Sequence, residues 1–293
     1  MNLTIVEQIA LYFPLMLGAY LSLGLMKIPS LSIESAYVFG AIIASRVVLF
    51  DPSKDFFVLV MALFASLCGG AIVGIVAALF SQKAKFSHLL SAIISIGLFH
   101  GISQWIVGGT HVTLSSQNNP LRLFQSIPKY PELPIVLCIA ILLGILFYLF
   151  LKTELGMSCA IYGDNASFLQ NYRMNQSYVV IVGLAISNGL VGMSGYMIAQ
   201  SNGFVDTTMG VGMPLLCISS LIIGKSIYGS DKTLQMMVPF VGVVGYFIIQ
   251  AILLKLGFDL RYFTTVQAMI VALLLLLVAR LRIGASYQEM LGI

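Results

Sequence analysis

Gly224-Lys225-Ser226 follows the last letters of a phosphate-binding loop, GxxxxGK[ST]. Such a loop cradles phosphate with a glycine-rich backbone that follows a strand. Position 219 is Ser219 and the triplet closes an apolar run, so ATP binding by this chain is not expected. No HExxH pair occurs, and Cys68, Cys138, Cys159 and Cys217 lie far apart without CxxC spacing. The cysteines therefore read as small buried hydrophobes, not as metal or redox ligands. His100 and Gln104 stand four residues apart and share a helix face. That spacing suits a hydrogen-bonding pair between helices or, as the sharper reading, a pore lining. Glu34, in SLSIESAYVFGA, is the main ionisable candidate at membrane depth, unless it reaches the interface from a helix end.

The elements that must position these side chains are set by composition. Of 293 residues, 59% are hydrophobic and only 9% charged. A soluble domain carries about 25% charge. So few charges cannot cover a water-facing surface, and the net charge of +4 forms no basic stripe for nucleic acid. An integral membrane protein is expected. A spanning helix needs about 20 mostly apolar residues. Roughly nine runs qualify: 5–26, 33–50, 56–80, 88–108, 134–151, 178–200, 210–228, 234–254 and 262–281. None alternates with period two, so an all-α polytopic bundle is expected rather than a barrel. The first run has no basic segment before it, carries Glu7 and ends at Lys27, so it is not read as a cleavable signal. Gly192-Met193-Ser194-Gly195 resembles the serine motif of intramembrane rhomboid proteases. That family's histidine lies on a later helix, whereas His88, His100 and His111 all come earlier. Ser194 is expected to be a small residue at a helix contact.

Lys and Arg placement predicts an N-terminus outside and a C-terminus inside. The inner loops then hold Lys27, Lys83, Lys85, Lys152, Arg173, Lys225, Lys232, Arg280 and Arg282; the outer side holds Arg46, Lys54, Arg122, Lys129, Lys255 and Arg261. On this topology the long connection 109–133, broken by Pro120, Pro128 and Pro131, faces outward, and 152–177 faces inward. The middle of the inner connection predicts a short helix opened by Gly163, Asp164 and Asn165, with Asp164 or Asn165 as N-cap. Phe168, Leu169 and Tyr172 would then share one face, as an interfacial anchor or as the contact for a cytoplasmic subunit. Gly70/Gly74, Ala185/Gly189 and Gly195/Ala199 are small pairs that permit close helix approach. Buried ionisable residues are scarce, which favours a transporter energised from outside the bilayer over an ion-coupled one.

The third quarter of the chain carries a resemblance. Gly156-MSCAIY-Gly163-Asp164-Asn165, then Arg173-Met174-Asn175, then LAISNGLVGMSGYMIAQSNGFVDTTMGVGM are similar to permease subunits of binding-protein-dependent ABC importers. The branch is that of the branched-chain amino-acid and ribose permeases, and within it the group accompanying tryptophan/tyrosine-type binding proteins. The matching letters fall on Ser187 to Val191, Ser194, Gly195, Ala199, Gln200, Gly203, Phe204, Asp206, Met209, Gly210 and Gly212. KIPSLSIESAYVFGA at 27–41 resembles the start of the family's second span more loosely. The chain departs from the family at Ala160, where Arg is frequent, at Arg173, where Gly is frequent, and at Glu34-Ser35, in place of an acidic-glycine pair.

The resemblance implies a single permease domain over 1–293 in a prokaryotic cell membrane. It implies a coupling segment at about 156–175, in which Gly163, Asp164, Asn165, Phe168, Leu169, Tyr172 and Asn175 contact a cytoplasmic ABC ATPase. No cofactor is expected on this chain, since ATP and Mg2+ would sit on the ATPase. Further implied partners are an extracytoplasmic substrate-binding protein and a second permease copy or paralogue. A small solute, an amino acid or related metabolite, would be delivered near 109–133 and 201–209. Asn188, Gln200, Asn202, Asp206, Gly210 and Gly212 are candidates for the path or its gate. The alternative is an ion-coupled secondary transporter, which would work without an ATPase; a membrane enzyme would turn substrate over alone.

Overall fold

The apolar runs become helices. The computed structural model describes residues 2–50, 55–114, 119–122, 131–171, 175–228 and 237–255, with positions 265, 268, 269 and 272 beyond them. Among these residues the helices are α1 (Asn2–Ala19, continued by a π-helical turn Tyr20–Leu25), α2 (Ile33–Phe50), α3 (Phe56–Gln82), α4 (His88–Val107) and α5 (Leu133–Leu151). They continue with α6 (Glu154–Asn171), α7 (Gln176–Asn202), α8 (Met213–Tyr228) and α9 (Val238–Lys255). Seven of the helical stretches are long and apolar enough to cross a membrane, and Met213–Ile227 is a shorter apolar one. The expected ninth run, 262–281, lies almost wholly outside the described residues.

The core is a crossing of α2, α3 and α7 in which backbone meets backbone. A Cβ at Gly70 would collide with the carbonyl oxygen of Asn188, and one at Gly192 would stand 3.2 Å from Gly70 Cα. Side chains of any size would hold these helices apart, so the small residues set the crossing. α1 joins through hydroxyls: Ser187 Oγ donates to the Gly18 carbonyl at 2.8 Å, and Ser194 Oγ to that of Leu11 at 2.7 Å. Ser194 is thus a helix-contact residue, as its motif alone did not require.

Two non-helical segments reach into the bundle from opposite ends. After α1 the chain turns at Lys27, whose φ of +54° is a left-handed conformation unusual outside glycine. It then runs extended with Ile28, Ser30 and Ser32 inward. Ser32 Oγ donates to Asn188 Oδ1 at 3.2 Å, near the midpoint of the 27-residue α7, so α2 starts deep in the bundle. At the other end β1 (His111–Thr113) pairs antiparallel with β2 (Phe204–Asp206) in a short ribbon. From it residues 207–212 descend until Gly210 lies against the Glu34 carbonyl. α8, expected to begin near 210, begins at Met213 and has 16 residues. That is about 24 Å at 1.5 Å per residue, short of a ~30 Å hydrocarbon core. The 207–212 turn makes up the difference, and irregular backbone at such depth is tolerated only inside protein or beside water.

Candidate translocation site

The two broken segments meet at a small cavity. It measures about 20 Å³, and Glu34, Ser35, His100, Ser103, Thr207 and Gly210 line it together with apolar side chains of α2, α4 and the 207–212 turn. α2 supplies the carboxylate in its first turn, α4 the imidazole and a hydroxyl, and the descending turn Thr207. Thr207 Oγ1 is buried with no hydrogen-bond partner among the described residues. Ser35 Oγ donates to the Ser32 carbonyl at 3.1 Å. Glu34 takes part in neither Lys27–Asp164 nor Arg122–Glu132, the ion pairs seen among the described residues.

The cavity opens beside an unusual face of α4. His100 Nε2 and Gln104 Nε2 lie 3.1 Å apart on the same helix, both exposed. The expected bond between helices is therefore a bond within one, and among the described residues no helix covers this side. Gly97 and Gly101 on that face have nothing within reach of a Cβ. His100 sits about two turns from the end of α4, where an uncovered imidazole facing lipid is costly. Such a face wants protein or water against it.

The expected coupling segment lies at the opposite end from the ribbon. α6 is two helices merged across Asn165, whose φ/ψ of −156°/94° is extended. Asn165 Oδ1 accepts from Ser167 Oγ at 2.6 Å, a bond between side chains and not the backbone N–H bond of an N-cap, and Gly163 and Asp164 lie before the break. Gly163 packs against the Leu25 carbonyl. Asp164 pairs with Lys27 at 2.7 Å, exposed. Tyr162 Oη lies 3.4 Å from His88 Nε2, and Cys159 is buried, which pushes its thiol up to about 11. Phe168 and Leu169 do not share a face: Leu169 is 1% exposed and Phe168 42%, because the bundle lies on one side only. Tyr172 lies outside the described residues. Asn175 caps α7, accepting from the Ser177 amide at 3.0 Å.

The expected path residues separate. Asn188 is fully buried, donating to the Leu184 carbonyl at 2.9 Å while it accepts from Ser32. Gln200 is buried near the ribbon, its carbonyl accepting from Asn119 Nδ2 at 3.1 Å, and the same Asn119 donates to Glu132 at 2.8 Å. Asn202 is exposed at the end of α7. Asp206 accepts from the Thr208 amide and hydroxyl, both at 2.7 Å. Those bonds hold its carboxyl below the ordinary 3.8. Gly212 has φ +86°. Only Gly210 lines the cavity. Of the cysteines, Cys159 and Cys217 are buried as expected, but Cys138 is exposed on α5, whose flank no helix covers among the described residues.

A profile of the family described as "Branched-chain amino acid transport system / permease component" matches residues 1–280. The chain belongs to this permease family. A tyrosine transport system permease protein of Clostridioides difficile is 35% identical over 214 residues, covering 72% of this chain and 68% of the relative. An uncharacterized protein of Rickettsia prowazekii, RP368, is 28% identical over 262 residues, covering 88% and 90%. The autoinducer 2 import system permease protein LsrC of Salmonella typhi is 23% identical over 176 residues, covering 59% and 50%. No solved structure gives a significant match. Within this permease, sequence reasoning singled out Glu34 and His100 but missed Ser103 and Thr207. Ser103 showed only polarity inside an apolar run, which it shares with buried serines such as Ser91 and Ser95, and Thr207 lies in the connection between two runs with no signal of its own.

Proposed function

We propose that this permease is one of two membrane subunits of an ATP-driven importer for an amino acid or a close relative of one. The relative named for tyrosine transport supports that solute class. An extracytoplasmic binding protein delivers the solute at the ribbon end, where 111–113 and 204–206 present a joined surface. A second copy faces the uncovered side of α4, and the solute passes between the copies. A cytoplasmic ABC ATPase, carrying ATP and Mg2+, grips the second half of α6. The N-terminus is outside and the C-terminus inside, in a prokaryotic cell membrane.

The observation that carries this reading is the construction of α6. It is broken at Asn165, is tied to the end of α1 through Gly163 and Lys27, and leaves Phe168 42% exposed while Leu169 is buried. A helix fixed to the spans on one side and open on the other transmits rigid-body motion from whatever holds it. Purification from gently solubilised membranes tests this. A P-loop ATPase and a binding protein are expected to accompany the chain, and vesicles holding all three are expected to take up solute only with ATP inside. Full-rate uptake by the chain alone under an ion gradient would establish the secondary-transporter alternative.

A further inference from the structure

We infer that the cavity between α2, α4 and the 207–212 turn binds the primary ammonium group of the transported solute, with Glu34 as its counter-ion. The inference rests on the transport reading above and names the chemical group recognised on the path.

Glu34 is a half-buried carboxylate in a membrane-spanning helix, and the residues lining its cavity include no Lys or Arg; His100 is the one cation-capable side chain among them and is engaged with Gln104 on its exposed side. A carboxylate in that setting calls for a cation. Thr207, 4% exposed, lines the same space and has a buried Oγ1 with no hydrogen-bond partner among the described residues, and that oxygen can accept an N–H. An ammonium has three N–H donors. Glu34, Thr207 and the Ser35 hydroxyl, which keeps free lone pairs while donating to Ser32, supply three acceptors. Size restricts the occupant further. A space of about 20 Å³ holds one water-sized group, so a head group enters and the remainder of the solute stays outside. Beside the mouth, Gly97 and Gly101 leave α4 bare, giving that remainder room. The site is also assembled by the two segments that interrupt the helices, so movement of α8 or α2 would open and close it without unfolding a helix.

Carbodiimide labelling of Glu34 in the full-length, detergent-solubilised chain tests the site, with the modified peptide read by mass spectrometry. The competitors are tyramine and 4-ethylphenol, which share the ring and the two-carbon chain and differ only by the amino group. With tyramine at about ten times its dissociation constant, labelling is expected to fall about tenfold, following 1 + [L]/Kd. 4-Ethylphenol at the same concentration is expected to leave it unchanged. Thr207→Ala is expected to weaken the protection while labelling without competitor continues. Equal protection by both compounds would overturn the proposal. So would equal protection by sodium chloride, which would make this a simple cation site, or a Glu34 that labels only after denaturation. Loss of ATP-driven uptake in reconstituted vesicles, with tyramine protection intact, would sink the importer reading and leave the ammonium site standing.

Discussion

Gly70 and Gly97 differ in what a methyl group would meet. At Gly70 it would strike the Asn188 carbonyl, whereas at Gly97 it would meet open space. Gly70→Ala is therefore expected to cost about 1–3 kcal/mol through forced separation of α3 and α7. Gly97→Ala is expected to leave the melting temperature in detergent unchanged or slightly higher. Both glycines look alike in the sequence as small residues within an apolar run. Gly97 and Gly101 have the same GxxxG spacing as Gly70 and Gly74, so the spacing alone does not tell the packed pair from the bare one. Asp206 yields a prediction of a different kind. Its folded carboxyl titrates below 3.8 because Thr208 donates two hydrogen bonds to the charged form. A depressed carboxyl stabilises the folded state above the unfolded pKa and loses that contribution as pH falls through the folded value. Hydrogen exchange across 204–208 is thus expected to quicken in wild type relative to Asp206→Asn only below about pH 4.

At the scale of elements, α6 makes the sharpest demand. Leu169 is buried and Phe168 exposed, so their substitutions should separate two effects. Phe168→Asp is expected to release the ATPase during purification while the melting temperature stays within about 0.5 kcal/mol of wild type in stability terms. Leu169→Ala is expected to destabilise the chain by about 2–5 kcal/mol and to loosen the second half of α6. Equal ATPase retention in Phe168→Asp would remove the coupling role. The break near Asn165 was readable because Gly163, Asp164 and Asn165 are local helix-interrupting residues. Which of Phe168 and Leu169 turns inward was not, since adjacent helix positions lie about 100° apart and either could face a bundle the sequence does not locate. The late start of α2 belongs to the same class. KIPSLS reads as an interruption, but its depth depends on Ser32 meeting Asn188.

The whole molecule has one side that looks unfinished. α4 presents His100, Gly101 and Gln104 outward, and Val211 beside them is 64% exposed. If a second copy stands across this face, Gly101→Cys is expected to give a dimer with a short bifunctional thiol reagent in native membranes, well above the background from the four native cysteines. A band no stronger than wild type would place the second copy elsewhere. On the opposite flank, α5 exposes Ile141, Leu142, Ile145 and Leu149, an apolar surface that lipid satisfies without a partner.

Composition and order of residues determined that the chain lives in a membrane, where its helices run and where α6 breaks. Each of these depends on hydrophobicity, on helical period or on neighbours within a turn, all of which a linear string contains. Tertiary structure alone decided the cavity. Glu34, His100 and Thr207 lie far apart in the chain and meet because two interrupted segments, approaching from opposite ends, stop at the same depth against α7. That depth follows from backbone contacts among α2, α3 and α7, and no periodicity encodes it.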